Sequence, residues 1–146
     1  ATLARLAELS RIAGVKDATG DLARPWTERQ LIKKPFAWLS GEDATAVAYN
    51  IGGGQGCISV TANVAPRLVA EVQNLTLAGK WQEARELQDK LIPLHQAMFA
   101  EPSPAGAKYA VSLLGFCSEE CRLPVMPLSE ATRERIRSAM QALNLL

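Results

Sequence analysis

The sequence predicts an α/β fold, in which a parallel sheet sheathed by helices is followed by a wholly helical region. Three short apolar runs, at residues 12–15, 36–39 and 57–61, are too short for helices and are separated by polar or helical stretches. Strands that read as continuous apolar runs are buried on both faces, which is the habit of parallel sheets. From Pro66 onward the apolar residues recur only at helical spacing. The alternation suits a doubly wound sheet or part of a (β/α)8 barrel. A complete barrel needs about 250 residues, so a chain of 146 could supply only a portion.

In chain order, residues 2–9 place Leu3, Leu6, Ala7 and Leu9 on one helical stripe. Ile12-Ala13-Gly14-Val15 is the first expected strand, closed by Lys16-Asp17-Ala18-Thr19-Gly20-Asp21. Residues 25–34 read as a polar helical connection, and Phe36-Ala37-Trp38-Leu39 as the second strand, ending in Ser40-Gly41-Glu42-Asp43. A short helix over 44–49 and the turn Gly52-Gly53-Gly54-Gln55-Gly56 lead into the third strand, Cys57-Ile58-Ser59-Val60-Thr61. The glycine cluster is not a dinucleotide fingerprint, because that motif follows a strand and opens a helix. It reads as a tight helix-to-strand turn.

The helical region begins with residues 67–78, stopped by Gly79 in a C-cap position. Residues 81–100 carry Ala84, Leu87, Leu91, Leu94 and Met98 at near-heptad spacing. Pro93 is expected to kink this helix or end it early, since it lacks an amide donor and clashes with the preceding turn. A helix over 105–114 stops at Gly115, and the last one starts after Ser129, a good N-cap.

Composition narrows the function classes. Apolar residues make up 48% and charged residues 21%, the balance of a folded globular protein rather than a disordered one. The net charge of +1 comes from interspersed signs, with no basic block to neutralise phosphates, so nucleic acid is not an expected partner. No apolar run approaches the roughly 20 residues that span a bilayer, so no membrane is expected. The amino terminus has neither a signal-like pattern nor an initiator methionine and opens within a helix, so a longer, cytoplasmic protein is expected. Three cysteines, Cys57, Cys117 and Cys121, argue against a disulfide framework. With the one histidine, His95, far from them in sequence, a metal site is not expected.

Lys16 is the residue with chemical promise. It follows the first apolar run, at the strand end where barrels place catalytic groups. Apolar walls there disfavour the ammonium and leave an amine able to attack a ketone. By position alone, a solvated lysine opening a loop is the stronger reading. Glu42 and Asp43 read as caps for the positive end of the following helix. His95 reads as a packed or solvated helix residue, and Trp26, Trp38 and Trp81 as packing residues.

Together these segments resemble one family. Gly14-Val15-Lys16-Asp17-Ala18-Thr19-Gly20-Asp21 resembles the Schiff-base lysine segment of the dihydrodipicolinate synthase and N-acetylneuraminate lyase family. Leu39-Ser40-Gly41-Glu42-Asp43-Ala44 is similar to the end of that barrel's seventh strand, and Gly56-Cys57-Ile58-Ser59-Val60-Thr61-Ala62-Asn63-Val64 to its eighth. Pro93-Leu94-His95, Glu101-Pro102-Ser103-Pro104, Lys108-Tyr109-Ala110 and Arg122-Leu123-Pro124 are similar to its carboxyl-terminal helices. The chain departs from the pattern at Ser103, where the family usually has asparagine, and at Gly106, where it often has proline.

The resemblance implies strands six to eight of a (β/α)8 barrel over residues 1–78 and a helical carboxyl-terminal domain over 79–146. It implies Lys16 as the imine-forming lysine, with Gly41 and the backbone carbonyl of Ile58 lining the pyruvate pocket. The wording of the three strand ends lies nearer the lysine-pathway branch. It therefore implies condensation of pyruvate with L-aspartate 4-semialdehyde, without metal or organic cofactor, in a homotetramer. The same resemblance admits a sialic acid or sugar-acid lyase, or a non-catalytic barrel acting as a binding module. It leaves the amino-terminal half of the barrel, with its tyrosine relay and carboxylate-binding threonine, to be supplied from outside these 146 residues.

Overall fold

The computed structural model describes residues 2–146. Its elements run α1 (Thr2–Ala7), β1 (Gly14–Asp17), α2 (Arg24–Leu31), β2 (Ala37–Ser40), α3 (Ala46–Ile51), a 3-10 turn (Thr61–Asn63), α4 (Pro66–Leu77), α5 (Trp81–Met98), α6 (Ala105–Leu113) and α7 (Glu130–Ala142). The fold is mixed α/β, as the alternation of apolar runs requires. β1 lies parallel to β2, with Gly14 opposite Ala37, Val15 opposite Trp38, Lys16 opposite Leu39 and Asp17 opposite Ser40. β1 lies two residues later than the expected 12–15, so Lys16 is inside the strand and not just past it.

The expected third strand over 57–61 does not form as such. It meets β2 through a single parallel bridge, Ser40 with Cys57. Around that bridge Ser40 N–H donates to Gly56 O (2.9 Å) and Ile58 N–H to Ser40 O (2.8 Å). Beyond Ile58 the backbone leaves the ladder for a physical reason. The N–H groups of Val60 and Thr61 donate to the Asp43 carboxylate at 2.9 and 3.2 Å, and the chain then tightens into the 3-10 turn. A side chain has replaced a strand as the acceptor for these amides.

Alternation along the strands separates two faces. Val15, Trp38 and the strand-flanking Phe36 pack with Ala7, Ile32 and Tyr49 beneath the helices, and Asp17 and Ser40 are buried on that side. Gly14, Lys16, Ala37 and Leu39 share the other face, where Lys16 is exposed and the rest are partly covered.

A second core starts at Val64 and joins α5, α6 and α7 through Leu94, Met98, Tyr109, Ile136 and Met140. Helix α5 runs through Pro93 from Trp81 to Met98, without the early end expected. Its fully buried Leu91 and Leu94 and its buried Met98 flank the proline on both sides. Each burial is worth roughly 1.5–3 kcal/mol, so the three together outweigh the roughly 3 kcal/mol cost of an interior proline. Gly79 (φ +72°) and Gly115 (φ +80°) follow α4 and α6 in the left-handed conformation that ends helices. Ser129 caps α7 by accepting from Thr132 N–H at 3.3 Å. Trp38 is buried, whereas Trp26 and Trp81 are exposed and do not serve as core residues. The Arg29 guanidinium stacks 4.8 Å from the Trp26 ring.

Candidate active site

The three residues singled out by sequence gather at one edge of the sheet. Lys16 stands near the carboxyl end of β1, on the face away from the helices. Gly41 directly follows β2, and its N–H donates to Asp17 O at 2.7 Å. Ile58 directly follows the bridge to β2 and is 47% exposed. In parallel neighbours the carboxyl ends coincide, so backbone and side chain from three segments converge without any long loop.

Gly41 shapes the lysine's surroundings. A methyl group built on it would lie 2.8 Å from Lys16 Cε and 2.9 Å from both Lys16 Cγ and Ala18 Cβ. The lysine stem therefore occupies the space that any side chain at position 41 would need.

Behind the sheet, the buried Asp17 accepts from Thr19 N–H (3.0 Å) and Thr19 Oγ1 (2.6 Å), which folds the chain sharply away after Lys16. Arg24 reaches the same carboxylate oxygen at 3.5 Å and Glu28 at 3.0 Å. Burial, reinforced by Asp17 and Glu28, pushes the Tyr49 hydroxyl up to about 12. Tyr49 is thus a neutral phenol at any physiological pH.

Asp43 is not the helix cap expected from its position. It is 3% exposed, and its carboxylate accepts from the Ser59 hydroxyl as well as from Val60 and Thr61 N–H. Gln88 Nε2 on α5 donates to the Asp43 backbone carbonyl at 2.8 Å. About two helical turns further along α5, His95 Nδ1 lies 2.7 Å from Thr61 Oγ1. Burial holds the His95 imidazole below its ordinary range, against the opposing pull of Asp43 and Glu42. Sequence reasoning missed this cluster because Asp43, Thr61 and His95 are distant along the chain. The available signal was that Asp43 and Thr61 follow neighbouring strand ends.

Cys57 lies on the same rim. Burial, with Asp43 adding to it, pushes its thiol up to about 12, and Lys16 is near enough to oppose that shift. Among the described residues no group of three or more histidine, cysteine or acidic side chains is placed to hold a metal ion. Among those same residues no helix is long and apolar enough to cross a membrane.

The profile of the Dihydrodipicolinate synthetase family matches residues 1–143. The chain belongs to that family. Among its relatives, the 4-hydroxy-tetrahydrodipicolinate synthases of Ruegeria pomeroyi and Acidiphilium cryptum are each 57% identical over 146 residues, covering all of this chain and 50% of theirs. The crystal structure of dihydrodipicolinate synthase from Aquifex aeolicus superposes with a TM-score of 0.94 at 32% identity, over 99% of this chain and 50% of that one. The chloride-inhibited dihydrodipicolinate synthase from Acinetobacter baumannii, solved in complex with pyruvate, matches at a TM-score of 0.92 and 38% identity, again over 99% and 50%. The chain thus spans about half the length of the curated family members it matches.

Proposed function

We propose that this chain is the carboxyl-terminal half of a pyruvate-dependent class I aldolase, condensing pyruvate with L-aspartate 4-semialdehyde to 4-hydroxy-tetrahydrodipicolinate for lysine and diaminopimelate biosynthesis. The observation that carries the reading is Lys16, exposed on the open face of β1 with its stem laid against Gly41. The family relationship and the pyruvate bound in the Acinetobacter baumannii relative support pyruvate as the first substrate.

In this scheme the Lys16 amine adds to the pyruvate ketone, and loss of water gives an imine. The imine nitrogen, once protonated, withdraws electrons from the adjacent carbon, so the methyl group can lose a proton to give an enamine. The enamine carbon attacks the aldehyde of the second substrate. Its amine then displaces Lys16 from the imine, which closes the ring and frees the enzyme. Gly41 leaves room for the lysine stem, and the Ile58 carbonyl faces the pyruvate pocket. The electron sink is the imine itself, so the scheme calls for no cofactor.

Residues 1–78 would supply strands six to eight of the barrel, and residues 79–146 a helical domain. The remaining half of the barrel would bring the other pocket walls, and the complete protein would work in the cytoplasm as a homotetramer. The test is borohydride reduction of the complete protein with pyruvate, followed by peptide mass mapping. A reduced adduct at Lys16, absent from Lys16→Ala, is the expected result. No adduct at Lys16 in the unmodified protein overturns the aldolase reading. Turnover with L-aspartate 4-semialdehyde, and not with N-acetylmannosamine, separates the synthase from a sialic acid lyase.

A further inference from the structure

We infer that Asp43, Thr61 and His95 form a buried clamp whose task is to aim the Ile58 backbone carbonyl into the pocket of Lys16, which makes them positioning residues for the aldolase reaction. The inference rests on the proposed function, in which Lys16 is the imine-forming lysine and the Ile58 carbonyl lines its pocket.

The carbonyl of Ile58 belongs to the peptide plane that joins it to Ser59, so its direction is set by whatever holds that plane on either side. Upstream, Ile58 N–H is tied to Ser40 O at 2.8 Å. Downstream, the Ser59 hydroxyl, Val60 N–H and Thr61 N–H all converge on the Asp43 carboxylate. Three donors on one carboxylate saturate most of its acceptor capacity and fix it in one orientation. Ser59 Oγ also accepts from Ala62 N–H at 2.8 Å, which closes the turn on itself.

This turn is then fastened to a rigid body. Thr61, fully buried, meets His95 Nδ1 at 2.7 Å, and Gln88 secures the Asp43 backbone at 2.8 Å. Both anchors stand on α5, whose 18 residues are held by the helical core. His95 Nε2 is buried with no partner among the described residues. The void beside it, lined by Asp43, Val69, Val72, Gln73, Gln88 and Leu91, has no room for a water molecule. A buried polar atom left unpaired costs free energy that folding alone gives no reason to keep. An apolar side chain would fill that site at less cost, so the imidazole is retained for its bond to Thr61. The isolation of the cluster from water keeps these bonds strong and the turn stiff.

The test uses the complete protein and compares Thr61→Val, Asp43→Asn and His95→Gln with the parent. Borohydride quenching at timed intervals gives the rate at which pyruvate forms its imine at Lys16, and denaturation gives the fraction folded at the assay temperature. Expected is imine formation slowed about tenfold to a hundredfold per folded molecule, the scale set by displacements near 1 Å, with full trapping at long times. Thr61→Ser, which keeps the hydroxyl, should restore the rate. Should Thr61→Val not fold, the same slowing is required of Asp43→Asn or His95→Gln. Parent rates per folded molecule in the folded variants, with only the melting temperature lowered, would mean a purely structural cluster and overturn the clamp. An absence of adduct in the parent protein removes the aldolase reading itself, and the clamp with it.

Discussion

Gly41 and Lys16 occupy one another's space: a methyl group on the glycine would come within 2.8 Å of the lysine's Cε and 2.9 Å of its Cγ. The Gly41 backbone is fixed by its bond to Asp17 O at 2.7 Å, so the lysine must move, and with it the backbone that carries Ala18 Cβ, 2.9 Å away. Gly41→Ala should therefore shift the strand end at Ala18 and turn the amine out of its place. Misplacement of a reacting group by about 1 Å costs on the order of a hundredfold. Timed borohydride trapping with pyruvate reads the effect directly. Imine formation at the parent rate in a folded Gly41→Ala protein would refute it.

A second close approach lies in the helical core. A Cβ on Gly106 would stand 2.4 Å from the Met98 carbonyl oxygen and 3.1 Å from its Cα. The obstruction is backbone at the end of α5, which cannot rotate away as a side chain could. Gly106→Ala should force α6 from α5 and destabilise the protein by about 1–3 kcal/mol. Urea denaturation against the parent measures it, and an unchanged midpoint rejects the account. The two helices meet too closely at this point for a larger residue.

Much of this was legible in the sequence because the strand ends are local. Lys16 and Gly41 each follow the end of an apolar run, and parallel order brings such ends together without further information; Ile58, second in the run 57–61, is joined to them only by the family resemblance. What escaped was carried by contacts across long stretches of chain. Nothing around His95 in its own helix points to Thr61, 34 residues earlier. Asp43 looked like a helix cap because acidic residues favour helix starts, yet its carboxylate is taken by the amides of the next strand end. For the same reason the third strand is cut short at its bridge, since the amides that would have extended it are already satisfied. Pro93 was expected to kink its helix or end it early; the early end does not occur, because buried leucines on both sides hold the helix through it.

The His95 imidazole gives stability a pH dependence of definite sign. Its folded-state value is lowered from 6.5 by burial, so the folded protein resists a proton that the unfolded chain accepts. As pH falls below about 6.5 the unfolded state therefore binds more protons, and stability drops with a slope of at most about 1.4 kcal/mol per pH unit. The contribution is complete above 6.5 and stops changing once pH passes below the folded-state value. Denaturation midpoints of the complete protein at pH 7.5 and 5.5 should therefore differ by more in the parent than in His95→Gln. Equal differences in the two proteins would rule the effect out.

Cys57 bridges Ser40, so its side chain lies with Ser40 on the face of the sheet away from Lys16. Burial first, then Asp43, lifts its thiol to about 12, with Glu42 adding to the shift and Ser40 and Lys16 opposing it. The thiolate is the reactive form, so at pH 8 only about one molecule in ten thousand carries it. Cys117, by contrast, is exposed at the turn after α6. Brief iodoacetamide treatment at pH 8, read by peptide mass mapping, should label Cys117 and spare Cys57. Labelling of Cys57 at a rate matching Cys117 in the folded protein would show that the thiol is not held protonated.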